Sequence, residues 1–122
     1  MVLSSSKCAH TAVVFSDSPP FKVSDVYVQK YVPGVRGMKP YLELGFNISS
    51  LNKGVTLDSV FCAVGKPLQI DKAGFRKVRL GNSSEINNGE LPKKAFFYYS
   101  HKKHNYYYVV NNIIQKKPII LP

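Results

Sequence analysis

The sequence predicts an all-β fold: an antiparallel β-sandwich of immunoglobulin-like architecture, built from six to eight short strands. Three observations predict it. Residues 41–48 alternate, with Leu42, Leu44, Phe46 and Ile48 on one side and Tyr41, Glu43, Gly45 and Asn47 on the other. Period-two alternation marks a strand with one buried and one wet face. The chain holds 8 Tyr and 7 Phe with many valines and isoleucines, a composition suited to pleated surfaces, and no segment keeps a helical period. Turn residues recur at intervals typical of a sandwich or small barrel.

The 122 residues are one domain's worth of chain. Residues 1–20 read as an N-terminal arm and 21–122 as a single β-sandwich domain. In the arm, Ser4-Ser5-Ser6 and Ser16-Asp17-Ser18-Pro19-Pro20 bracket Ala12-Val13-Val14-Phe15, which is either an edge strand or a flexible leader. Val23, Val26, Tyr27, Val28, Tyr31 and Val32 make 22–32 a strand, ended by Pro33-Gly34. The alternating strand 41–48 follows, then a turn at Asn52-Lys53-Gly54 and a strand over 55–64 with apolar residues on both faces. Gly65-Lys66-Pro67 interrupts it, and Leu68-Gln69-Ile70 reads as a short continuation. Phe75-Arg76-Lys77-Val78-Arg79-Leu80 is a short basic strand, and 81–93 a loop. Residues 95–99 and 106–114 form a hairpin about a turn at 100–105. The ending Pro118-Ile119-Ile120-Leu121-Pro122 fits an edge or an extended tail.

The expected core is Leu42, Leu44, Phe46, Ile48, Val60, Cys62 and Val78. Cys62 lies in the apolar run Val60-Phe61-Cys62-Ala63-Val64 and reads as a buried free thiol, whereas Cys8 reads as exposed. A bridge between them would need an oxidising compartment. The chain has no Trp, so the antibody pattern of paired cysteines about a buried Trp is missing.

There are 17 Lys and Arg against 7 Asp and Glu, a net charge of +10. The excess is regional. Residues 1–61 carry 6 basic and 4 acidic residues; residues 62–122 carry 11 and 3. A regional positive field attracts polyanions. No apolar stretch is long enough for a membrane span. The opening Met1-Val2-Leu3-Ser4-Ser5-Ser6-Lys7-Cys8 lacks the apolar core of an export signal but reads as the remnant of one, with an added methionine in front. Lys7 stands where a lipid-attachment cysteine needs a small residue.

Phe21-Lys22-Val23, then Tyr31-Val32-Pro33-Gly34-Val35-Arg36-Gly37, Leu42-Glu43-Leu44, Leu57-Asp58-Ser59-Val60-Phe61 and the ending Gln115-Lys116-Lys117-Pro118-Ile119-Ile120-Leu121-Pro122 form a series. It resembles a family of small exported proteins of Bacteroidetes-type bacteria, over most of residues 21–122. The chain departs from that pattern at Met38-Lys39-Pro40, where the family carries a glycine-rich stretch. The resemblance implies a secreted or periplasmic, envelope-associated location and no particular chemistry.

The candidate ligand-binding residues are Arg76, Lys77, Arg79, Lys93, Lys94, Tyr99, Lys102, Lys103 and Tyr106, with Lys116-Lys117 closing the basic set. Aromatic rings that stack on bases, interleaved with lysines that follow phosphates, suit single-stranded nucleic acid. Alternation tempers that reading, because one of the rows Phe97/Tyr99 and Phe96/Tyr98 must be core. In His101-Lys102-Lys103-His104 the two histidines could share a metal with His10 or Glu90, but the intervening lysines repel a cation. No Gly-x-Ser-x-Gly elbow and no phosphate-cradling glycine loop is present. Neither a catalytic residue nor a cofactor is expected.

These features point to a non-enzymatic exported binding or accessory module. Its cationic half would meet an anionic partner: an envelope polysaccharide, a lipid headgroup or an acidic protein surface. Strand addition at an open edge is a second route to a partner. The alternative is a nucleic-acid-binding β domain using the basic and tyrosine-rich strands, and a small hydrolase is a third class.

Overall fold

A computed structural model describes residues 13–62, 67–70, 72–82 and 91–122. The described residues form ten strands and no helix. They are β1 (Val13–Phe15), β2 (Lys22–Val32), β3 (Tyr41–Ser49), β4 (Val55–Phe61), β5 (Leu68–Gln69), β6 (Gly74–Asn82), β7 (Lys94–His101), β8 (His104–Asn111), β9 (Ile114–Gln115) and β10 (Ile119–Ile120). They assemble into two five-stranded sheets. The first has the order β9-β2-β3-β6, with β10 following β9 along the same edge of β2. The second has the order β1-β8-β7-β4-β5.

The sheets are mixed, which corrects the antiparallel expectation. β1 runs parallel to β8, and β9 and β10 run parallel to β2. None of these pairs is joined by a hairpin, and only a hairpin forces the chain to reverse. Alternation reports which face is buried and is silent about direction.

The inward row of β3 supplies the centre of the core. Leu42, Leu44 and Phe46 are fully buried and Ile48 nearly so. They share one apolar cluster with Val28 of β2, Leu57 and Val60 of β4, Cys62, and Ala95, Phe97 and Tyr99 of β7. Phe46 meets Phe97 edge to face at 5.2 Å between ring centroids, a contact that joins the two sheets. Six of the seven expected core residues are buried; Val78 is half-buried and packs against the cluster's border. On β7 the inward row is Ala95, Phe97 and Tyr99, leaving Phe96 and Tyr98 half-exposed.

Several boundaries differ from the sequence reading. β4 ends at Phe61, short of 64, and Leu68–Gln69 turns back to pair antiparallel with β4 instead of continuing it. β6 continues through Gly81 and Asn82, which were expected in a loop. The return strand β8 stops at Asn111, because Asn112 takes the left-handed conformation (φ 59°), and Ile114 belongs to the other sheet. The hairpin turn is also tighter than 100–105. His101 pairs with His104, so only Lys102 and Lys103 lie between the strands. Both have positive φ, 52° and 67°, as a type I′ turn requires. Within the arm, Val13–Phe15 takes the edge-strand alternative; residues 1–12, with Cys8 and His10, lie outside the described residues.

The C-terminal segment seals the outer edge of β2. Lys116 N–H donates to Val28 O at 3.0 Å, Leu121 N–H to Val32 O at 2.8 Å, and Gln29 Nε2 to Lys117 O at 2.8 Å. Pro118, which has no N–H, falls between the two short strands. Gly34 lets the chain end lie against the β2–β3 turn, since a Cβ there would collide with the backbone of Leu121 and Pro122.

Two lysines in the left-handed region of one turn are strained, by about 1–2 kcal/mol each. Replacing them with the preferred pair, Lys102→Asn with Lys103→Gly, is expected to raise stability by about 1 kcal/mol or more. Urea unfolding measures this, and an unchanged or lower midpoint would contradict a type I′ turn.

Candidate functional site

The nine candidate binding residues separate in the structure. Lys77 and Arg79 point outward from β6 and are exposed. Arg76 alternates to the inward row, opposite Phe46, and lines a cavity of about 180 Å³ with Gln69 and Ile70. Lys93 and Lys94 are exposed where β7 begins, and Lys102 and Lys103 at the hairpin tip, all on the second sheet. Tyr99 is only 3% exposed and packs edge-on to Phe21 and face-on to Tyr106. Tyr106 is half-buried against the core. These two rings act in packing.

Lys77 and Arg79 instead share the outer face of the first sheet with residues that the sequence reading did not single out. Register explains the grouping. Tyr27 lies beside Gly45 and Gly45 beside Lys77; Gln29 lies beside Glu43 and Glu43 beside Arg79; Tyr31 lies beside Tyr41. A β-bulge between Ser24 and Tyr27, with Asp25 at φ 54°, resets the phase of β2. Val23 is inward before the bulge and Val28 after it, so Tyr27, Gln29 and Tyr31 all come outward.

The cations of this face sit on rings. The Arg79 guanidinium lies 3.9 Å from the centroid of Tyr41, which stacks on Tyr31 at 5.2 Å with the planes 7° apart. Lys116 Nζ lies 3.8 Å from the Tyr27 centroid, and Lys77 Nζ 5.8 Å from that of Phe75. At exposed sites such contacts contribute about 0.5–1 kcal/mol each, enough to restrict where a flexible side chain puts its charge. Glu43 is the anion among the tyrosines. Its Oε1 accepts a hydrogen bond from Tyr31 Oη at 3.1 Å and a longer one from Tyr27 Oη at 3.5 Å.

The two phenols feel that arrangement. Burial pushes the Tyr31 hydroxyl up to about 12, helped by its hydrogen bond to Glu43 and the carboxylate's charge. Burial, then the Glu43 charge, raises Tyr27 as well.

Gly45 leaves a gap in the middle of this surface. A Cβ there would lie inside the Tyr27 ring, which leans across the bare backbone. Beside it runs an open groove of about 400 Å³, lined by Asp25, Tyr27, Phe75, Lys77, Ile114 and Lys116. Phe75 and Ile114 are 54% and 60% exposed, so the groove has apolar walls as well as charges.

Among the described residues no three His, Cys, Asp or Glu side chains gather to hold a metal ion. His10 and Glu90, the suggested third ligands, lie outside them. Cys62 is a free, buried thiol whose Sγ donates to Lys94 O at 3.3 Å. Burial pushes it up to about 12, which removes the thiolate a nucleophile needs. No described helix is long and apolar enough to cross a membrane. Comparison with protein-family models, curated proteins and solved structures finds no match.

Two measurements check this chemistry. The folded chain favours the neutral Tyr31 phenol, so the stability this contributes is complete below pH 10 and is lost as pH rises toward 12. The phenolate absorbance difference between the chain and a Tyr31→Phe variant isolates that titration. Glu43→Gln should move it downward, and no movement would uncouple the two groups. In a Cys8→Ser background, Cys62 should resist a thiol reagent at mildly alkaline pH until denaturant is added. Fast labelling of the native chain would contradict its burial.

Proposed function

We propose that the chain is a non-enzymatic binding module of immunoglobulin-like sandwich architecture, exported or held at the cell envelope, whose first-sheet outer face takes an acidic polysaccharide. One observation carries this reading: Lys77, Arg79 and Lys116 come together on one face, each set over an aromatic ring. Ring-restricted cations on a broad, shallow surface suit a flexible anionic chain, because less side-chain freedom remains to be lost on contact. The envelope location rests on the resemblance to small exported proteins.

The same face argues against single-stranded nucleic acid as first choice. Base stacking needs open ring faces. Here Tyr31 and Tyr41 stack on each other, Arg79 covers Tyr41, and Lys116 covers Tyr27. Phe75 is the most open ring of the set.

The test is binding to a labelled polyuronate and to a labelled single-stranded oligonucleotide across a salt series. Polyuronate binding should persist at physiological salt. A Lys77→Ala, Arg79→Ala, Lys116→Ala variant should lose about tenfold or more, the equivalent of three contacts of about 0.5–1 kcal/mol. Lys102→Ala with Lys103→Ala should change it little. Tighter oligonucleotide binding with a steep salt slope would favour the nucleic-acid reading. Weak, equal binding to both that vanishes near physiological salt would end the polysaccharide reading.

A further inference from the structure

We infer that the groove beside Gly45 is a subsite for a single acidic sugar unit, with its anionic group between Lys77 and Lys116, a pair of its hydroxyls on Asp25, and its C–H face against Phe75 and Ile114. The inference rests on the polysaccharide reading of the outer face and sharpens it to one place and one ligand class.

The groove crosses the strands. Lys77 of β6, Gly45 of β3, Tyr27 of β2 and Ile114 of β9 are consecutive register partners. Three interstrand steps of about 4.8 Å set the outer two roughly 14 Å apart at the backbone, room for a sugar ring between two side-chain walls. The second of these partners is a glycine, and the Tyr27 ring lies flat enough to fill the place of its missing Cβ. Lys116 stands over that ring at 3.8 Å, which puts one ammonium above the floor, while Lys77 holds the far wall beside Phe75. The volume of about 400 Å³ is within the range of small-molecule sites.

The lining selects among anions. A bare phosphate chain or a fatty acid would gain from the lysines but offer Asp25 no pair of hydroxyls to hold. A neutral sugar would use Asp25 but leave the charge of both ammoniums unmatched. A sugar bearing a carboxylate or a sulfate engages all three kinds of wall. Asp25 is exposed and held in the left-handed conformation by the bulge, a position that aspartate and asparagine tolerate better than most residues. Ile114 and Lys116 come from the segment that seals β2, so the subsite is lined by β2, β6 and that segment.

The probes are sodium glucuronate, a glucose sulfate, glucose, acetate and inorganic sulfate, each titrated into the full chain while backbone amide NMR shifts are followed. An acidic sugar should shift signals of residues 25–28, 75–77 and 114–116, and the two acidic sugars report whether carboxylate or sulfate is preferred. Glucose, acetate and inorganic sulfate should act at least tenfold more weakly, about the effect of losing one well-placed contact. Phe75→Ala and Asp25→Asn, both at exposed positions, should each weaken acidic-sugar binding by a similar factor with an otherwise unchanged spectrum. Acetate or sulfate alone reproducing the shifts at equal strength would overturn the subsite. So would polyuronate binding that falls in the triple cation variant yet is untouched by Phe75→Ala and Asp25→Asn; the outer-face reading would then stand without the groove. Groove shifts from glucuronate without polyuronate binding would keep the subsite and remove the polymer reading. Neither ligand binding would end both.

Discussion

β3 has to bury Leu42, Leu44, Phe46 and Ile48 on one side, and a strand cannot do that without sending Tyr41, Glu43, Gly45 and Asn47 to the other. Everything else in the first sheet follows from this constraint. Flanking strands that pair with β3 in register must turn the same way, so β6 places Val78 inward and Lys77 and Arg79 outward. β2 meets the constraint only through its bulge, which absorbs one residue and brings Tyr27, Gln29 and Tyr31 onto the outer face. The apolar row that holds the sheets together through Phe46 and Phe97 thereby also decides which charges share a surface.

Much of the core was legible because β3 alternates without interruption and because Cys62 sits in a continuous apolar run. The candidate face was not, for two physical reasons. Its members lie on four strands, and which residues stand side by side depends on register, which a single chain does not print. The bulge at Asp25 also breaks the phase of β2, so its outward tyrosines do not follow from its first residues. Tyr99 and Tyr106 illustrate a smaller gap: alternation requires one aromatic row of the hairpin to be buried but leaves open which. The parallel direction of β1, β9 and β10 escaped for want of any hairpin to fix it.

The positive charge divides into two kinds. Lys93, Lys94, Lys102 and Lys103 lie on the second sheet, exposed at its end and tip. Charges separated by more than about 8 Å are largely screened at physiological salt, so each of these lysines acts mainly on what lies close to it. Lys77, Arg79 and Lys116 are different because each lies over an aromatic ring that restricts where its charge sits. Glu43 keeps that cluster from being uniformly cationic and ties two tyrosines into it.

The bare backbone of Gly45 beneath the Tyr27 ring constrains how this sequence can diverge. A side chain gained at 45 while the ring is present meets the ring directly. Loss of the ring first exposes a glycine in the middle of a central strand, a weakened but occupiable intermediate. A change at position 45 is therefore easier once position 27 has changed, and the contact couples the two sites. Lineages that keep the aromatic ring are then the ones that have kept the glycine, and with both the trough between the two lysines.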